Sequence, residues 1–173
     1  VCAPPIRKKE DQECLWKALA EEELQTIATD QCSFTLAQKA LGKDDFTKIP
    51  GGLPGVQTRG TLIYTYGVRE GRITQEQMCK FLSENPAKLY GIYPQKGVIA
   101  PGSDADIVLL DPKKESTISA ATHAYNTDNN PFEGFELKCG IDKVFLRGNL
   151  AVDDGRLVQE KLGKYICRGK KQI

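Results

Sequence analysis

The residue pattern predicts an α/β fold with helices concentrated before about residue 95 and strands after it. Three observations carry that prediction. Before Tyr93-Pro94, apolar residues recur at i, i+3, i+4 spacing between Glu and Lys. After it, β-branched runs such as Asp106-Ile107-Val108-Leu109-Leu110-Asp111 alternate with turn residues. The composition, 40% hydrophobic and 27% charged over 173 residues, suits a globular chain with an ordinary core.

Taken in order, Val1-Cys2-Ala3-Pro4-Pro5 starts without Met, and its double proline reads as a turn leaving an extended segment that is scarcely present. Cys14, Leu15, Ala18 and Leu19, flanked by Trp16, predict an amphipathic surface helix from Lys9 to about Glu22. Leu24-Gln25-Thr26-Ile27-Ala28-Thr29 predicts a short buried strand with Asp30 at its C-terminal tip. A short helix is expected from Leu36 to Leu41. In Ile49-Pro50-Gly51-Gly52-Leu53-Pro54-Gly55, two prolines and three glycines among seven residues indicate a shaped loop that brings backbone close to something.

A helix over Thr58 to Val68 follows. Thr74-Gln75-Glu76-Gln77 has the capping-box pattern ahead of Met78, Phe81 and Leu82. Asn85-Pro86 is expected to start a separate short helix, with Pro in its first turn, that Gly91 stops. Strands are expected over 106–111 and 141–147, and a hairpin over 149–158 turning at Asp153-Asp154-Gly155. The last ten residues, 164–173, read as a basic surface arm.

Lys and Arg number 24 against 23 Asp and Glu, so there is no broad basic footprint for nucleic acid or an anionic membrane, and neither is expected as a partner. No run approaches the roughly 20 apolar residues of a membrane span, and the first residues lack the zones of a signal peptide, so the cytoplasm is the expected compartment. The six cysteines are scattered without a C-x-x-C pair, and read as reduced, mostly buried thiols. With one histidine, His123, the chain excludes a self-contained His-rich metal centre.

Several segments together are similar to one family. They are Pro4-Pro5-Ile6-Arg7, Leu24-Gln25 to Thr29-Asp30, and Gln38-Lys39-Ala40-Leu41-Gly42-Lys43-Asp44-Asp45-Phe46-Thr47-Lys48-Ile49-Pro50. The likeness continues through Asn85-Pro86-Ala87-Lys88-Leu89-Tyr90-Gly91 and Lys96-Gly97-Val98-Ile99-Ala100-Pro101-Gly102-Ser103-Asp104-Ala105-Asp106. The chain resembles the dihydropyrimidinase and D-hydantoinase family of cyclic amidohydrolases over essentially its whole length. The run from Gln38 to Pro50 is the narrowest signature; the Lys96–Asp106 pattern is shared by many amidohydrolases.

The resemblance implies a (β/α)8 TIM-type barrel with a two-metal site, usually zinc, and a small β-sandwich built from both chain ends. Members open cyclic ureides such as hydantoins and dihydropyrimidines, and are commonly homo-tetramers. This chain would then be the C-terminal portion. Residues 1–95 would supply the last strands and helices of the barrel, 96–163 the C-terminal part of the sandwich, and 164–173 the basic tail.

By the same resemblance Asp30 corresponds to the barrel Asp that ligates metal and accepts the proton of the attacking water, at the strand end where barrel enzymes place catalytic groups. As a bare sequence feature it reads better as a turn former or helix cap. Ala3 and Gly51 correspond to positions that contact the cyclic amide through backbone groups. Three residues depart from the commonest pattern: Ala3 where Ser is frequent, Gln31 where His is frequent, and Gly51 where Asn is frequent.

The family's other ligands, a His-x-His pair, two more histidines and a carboxylated lysine, would lie before residue 1. One carboxylate falls short of the about three protein ligands of a catalytic zinc. The isolated chain is therefore expected to bind no zinc and to be inactive. His123 reads as a packing or surface residue. A phosphate cradle at Pro50–Gly55 lacks the Lys-Ser/Thr of a P-loop, and Asp44-Asp45 reads as a solvated loop.

One and a half barrel strands leave two unpaired edges, so the chain is expected to associate or to be unstable alone, as a piece of a longer enzyme. The alternative reading is a non-catalytic amidohydrolase-like scaffold acting through oligomerisation.

Overall fold

The computed structural model describes residues 1–172. Helix α1 runs from Lys9 to Ala20, with Glu10 and Asp11 in its first turn and Lys17 in its last, each sign opposing the nearer end of the helix dipole. The Asp11 carboxylate accepts the Lys8 N–H at 2.9 Å. Glu22 closes the helix in the left-handed region (φ 57°), and the Glu23 N–H reaches back to the Ala18 carbonyl at 2.9 Å. The helix buries Leu19 against Ile73 and Phe81, and Trp16, Ile27, Ile63, Val68 and Met78 pack around this core.

The run from Leu24 to Thr29 forms no ladder and is only partly buried, contrary to the expected buried strand. A strand exists by pairing, and among the described residues no strand runs alongside it. Its backbone is held instead by the Ile27 N–H on Phe81 O at 3.2 Å and by the Asn85 side-chain amide on Gln25 O at 2.9 Å.

Helix α2, Leu36–Ala40, starts in a reciprocal capping box between Thr35 and Gln38. A 3₁₀ turn over Phe46–Lys48 is capped by the Asp45 carboxylate, whose pKa is held below the ordinary value by the Thr47 hydroxyl and N–H. Helix α3, Arg59–Ile63, widens into a π-turn over Tyr64–Val68, where the Arg69 N–H bonds Tyr64 O at 2.9 Å. Gly67 lies in that turn because α1 crosses there: a β-carbon at 67 would stand 3.0 Å from the Trp16 ring.

The expected break at Asn85-Pro86 is absent. Helix α4, Gln75–Cys79, opened by the Thr74–Gln77 capping box, passes through a π-turn over Lys80–Glu84 into α5, Asn85–Leu89, as one rod. The wide turn accommodates the proline that would otherwise clash with the preceding turn. Gly91 ends it at φ 69°.

The second half holds a four-stranded antiparallel sheet in the order β1-β4-β5-β6, from β1 (Ile107–Asp111), β4 (Gly140–Leu146), β5 (Asn149–Asp153) and β6 (Arg156–Leu157). A two-residue pair, β2 (Ser116–Thr117) with β3 (Glu136–Leu137), stands apart. The β4–β5 and β5–β6 hairpins turn on Arg147-Gly148 and Asp154-Gly155, all four at positive φ, the backbone that matches the twist of tight hairpins. Lys96 ties the connection into this sheet through Asp104 (2.9 Å) and Asp106.

The described part of the basic tail lies mostly exposed on the surface and is tethered at its end: Gly169 N–H bonds Gly91 O at 2.6 Å, Gln172 N–H bonds Lys88 O at 3.1 Å, and the Gln172 side chain bonds Tyr93 O. The last carbonyls of a helix lack intrahelical partners, and the tail adds a donor to one of those of α5, Lys88 O, and to Gly91 O and Tyr93 O just beyond it. The thiols are not mostly buried: Cys139 is, and burial pushes its pKa up, but Cys14, Cys32, Cys79 and Cys167 are exposed. Among the described residues no helix is long and apolar enough to cross a membrane.

Candidate functional site

Three loop segments meet at one rim: Val1–Ala3, Thr29–Cys32 and Pro50–Val56. The Gly52 N–H donates to Val1 O at 3.2 Å and the Cys32 N–H to Leu53 O at 3.3 Å. The Gln31 side-chain carbonyl accepts the N–H groups of Gly55 (3.1 Å) and Val56 (2.8 Å). Gln31 thus closes the loop rather than serving as an imidazole would.

Gly51 lies on Ala3. A β-carbon built at 51 would stand 3.7 Å from both the Ala3 β-carbon and its nitrogen, ordinary contact, so the structure brings these two sequence-predicted residues together. Gly52 is the position that admits no side chain: at φ 148°, a β-carbon would lie 2.2 Å from Cys32 O. The turn chemistry of this loop is therefore a close approach of backbone to the 31–32 segment.

Asp30 is exposed and sits at φ 45°, the left-handed region, which Asp, with its short polar side chain, visits more readily than most residues that carry a β-carbon. Both neighbours hold it there. Thr29 packs on Gly55, whose β-carbon position is 3.5 Å from Thr29 Cβ and Cγ2, and Gln31 is bonded to Gly55 and Val56. The rim presents one exposed carboxylate, at positive φ, on the same interlaced loops that carry the Ala3 and Gly51 backbone.

The second half of the chain reaches this rim. Tyr125 OH accepts the Gln57 N–H at 2.5 Å, and Gln57 Oε1 accepts the Ala124 N–H at 2.8 Å. Thr127 Oγ1 and the Asn129 amide both donate to Phe34 O. The Asp128 carboxylate accepts the Leu36 N–H at 2.8 Å; that bond, then the Asn129 amide, holds its pKa below the ordinary value. His123 packs edge-on to Tyr125 with ring centroids 4.9 Å apart, and its Nε2 lies 2.9 Å from Thr127 O. It is a packing residue of this docked segment.

Among the described residues no three His, Cys, Asp or Glu side chains converge as a metal set. A single carboxylate does not fit a zinc centre, so the residues present here would hold zinc only as one part of a larger ligand shell. Behind Leu53–Gly55 an open cavity of about 530 Å³ is lined chiefly by apolar side chains, Trp16, Ile27, Leu62, Tyr66, Phe132 and Phe135 among them. Sequence reasoning missed Lys39, Gln57 and Asp128 at this rim. No local spacing marks them, because their partners stand up to 92 residues away.

Comparison with known proteins matches the amidohydrolase family profile to residues 2–151. The D-hydantoinase of Geobacillus stearothermophilus is 45% identical over 172 residues, 98% of this chain and 36% of the relative. The solved D-hydantoinase (dihydropyrimidinase) from Thermus sp. superposes with a TM-score of 0.96 at 45% identity, covering all of this chain and 38% of the other. The dihydropyrimidinase from Brevibacillus agri NCHU1002 gives 0.89 at 46% identity, over 91% of this chain and 34% of its own. The chain spans about a third of the length of these relatives. It belongs to the amidohydrolase family.

Proposed function

We propose that the chain is the C-terminal part of a metal-dependent cyclic amidohydrolase that opens cyclic ureides of the hydantoin and dihydropyrimidine type. The observation that carries this reading is the contact of Ala3 with Gly51 on the loops that hold Asp30 at positive φ, in a chain 45% identical to a D-hydantoinase. In this reading, residues 1–95 are the closing strands and helices of a (β/α)8 barrel, 96–163 a share of a β-sandwich, and 164–173 the basic tail.

The residues then divide the work. Backbone groups of Ala3 and Gly51 orient the ring amide, and the Asp30 carboxylate accepts the proton of water as it adds to the ring carbonyl. Zinc, two ions of it, is the cofactor of the complete site, and its remaining ligands lie outside this chain. We also infer a homo-oligomer, supported by exposed Leu41 and Phe46 beside α2.

The test supplies this chain together with the portion of a D-hydantoinase that it does not span, and follows ring opening of hydantoin and dihydrouracil. Activity is expected from the pair and not from the 173-residue chain alone. Asp30→Asn should lower kcat by about 10²–10⁴-fold, the range for a positioned proton acceptor. Failure of the pair to turn over either ring, with both portions folded, would favour the scaffold reading. Stoichiometric zinc on the isolated chain would overturn the single-ligand account of Asp30.

A further inference from the structure

Lys39 stands on α2, half-buried, with the Phe34 ring centroid 5.7 Å from its ammonium. The ammonium donates to three carbonyls: Val1 O at 2.9 Å, Pro50 O at 3.0 Å and Gly52 O at 3.0 Å. An ammonium has three donors, so this arrangement spends all of them on backbone. The carbonyls come from two separate segments. Val1 lies two residues before Ala3, and Pro50 and Gly52 flank Gly51 on either side.

Three carbonyl oxygens converging on one point repel one another unless a cation sits between them. Removing the charge would leave three partly buried acceptors facing each other, with the Gly52 N–H on Val1 O as the remaining backbone link between the segments. The bond set therefore does more than satisfy a surface lysine: it fixes the distance and facing of the two backbone stretches that touch at Ala3 and Gly51. We propose that Lys39 is a positioning residue, which sets the gauge of the Ala3–Gly51 site so that it takes a planar ring amide. The identity of that ring rests on the cyclic amidohydrolase reading above; the hold of Lys39 on the two segments does not.

The experiment uses the full chain, wild type, Lys39→Met and Lys39→Arg, and reads amide hydrogen exchange residue by residue. In Lys39→Met, exchange at the Gly52 amide should rise about tenfold, whereas the Ile27 amide, bonded to Phe81 O in the core, should keep its wild-type rate. Lys39→Arg keeps the charge and N–H donors and should recover most of the Gly52 protection. Unchanged Gly52 exchange in Lys39→Met overturns the proposal. So does equal acceleration at Gly52 and Ile27, because the lysine would then support the whole fold rather than this rim.

A second arm adds hydantoin and follows the amide resonances of Ala3 and Gly51. Shifts in wild type, weakened about tenfold in affinity by Lys39→Met and restored by Lys39→Arg, are the expected result. Equal shifts in wild type and Lys39→Met overturn the positioning role. No shift in wild type, with Gly52 still loosened in Lys39→Met, removes the ring as the ligand and leaves the hold of Lys39 established.

Discussion

Gly51 and Gly52 are neighbours with opposite demands on a side chain. At Gly51 an added β-carbon meets Ala3 at ordinary contact distance, and the backbone lies outside the left-handed region. Gly51→Ala should therefore fold normally and gain about 0.4–1 kcal/mol by restricting the unfolded chain. At Gly52 the β-carbon would collide with Cys32 O at 2.2 Å, and φ is 148°. Gly52→Ala should cost about 3 kcal/mol or more from strain and backbone displacement together, both variants being measured by urea unfolding. The sequence marked the Pro50–Gly55 loop as a close approach of backbone. It gave no means to tell which glycine makes the approach, because Cys32 lies 20 residues earlier and the meeting is tertiary. Asp30, Ala3 and Gly51 were singled out through resemblance, whereas Lys39 reads in sequence as an ordinary helix-surface lysine.

Elements whose stability is local were the legible ones. The capping box at Thr74, the α1 stripe and the Asp154-Gly155 turn all close within a few residues, and each forms as the pattern dictates. The run from Leu24 to Thr29 fails as a strand for the complementary reason: its ladder needs a partner that local pattern cannot supply. The connection into the sheet is local in sequence but electrostatic in character. The Lys96 ammonium, first, and the Gln95 amide hold the Asp104 carboxyl below its ordinary value of 3.8. For Lys96, burial pulls its pKa down, but the hydrogen bonds and charges of Asp106 and Asp104 together outweigh it and leave it above 10.5. A carboxyl lowered on folding stabilises above its unfolded pKa and loses that contribution as pH falls through the lower folded value; the raised ammonium loses its share as pH rises past 10.5. Stability should thus hold steady near neutrality and fall below pH 3.8, and Lys96→Met should lower the neutral plateau and flatten the acid limb. Denaturant midpoints measured across the acid range check the sign.

At the scale of the whole molecule, the core is small for the surface it must support. Leu19, Ile73 and Phe81 form the buried centre, whereas Leu36, Leu41, Phe46, Ile99, Val108 and Tyr165 are exposed, Phe46 at 80% and Tyr165 at 91%. Scattered apolar residues are normal on a protein surface, but Leu36, Leu41 and Phe46 fall within eleven residues of one another around α2, and β1 offers an open sheet edge with Val108 and Leu109 outward. Water contact with such surface costs roughly 25 cal/mol per Å², so any arrangement that covers it gains. The relatives are about three times as long. None of this was readable from local pattern, which reports amphipathic stripes but not which stripe finds a neighbour. The isolated chain should therefore associate in a concentration-dependent way, seen as a mass by light scattering that rises above 19.1 kDa on concentration. Phe46→Lys with Leu41→Lys should shift it toward the monomer without lowering the unfolding midpoint, because both side chains lie outside the core. A monomer at every concentration would overturn the association, whereas a double variant that associates as strongly as the parent would place the sticky surface at the β1 edge, where Val108→Lys makes the same test.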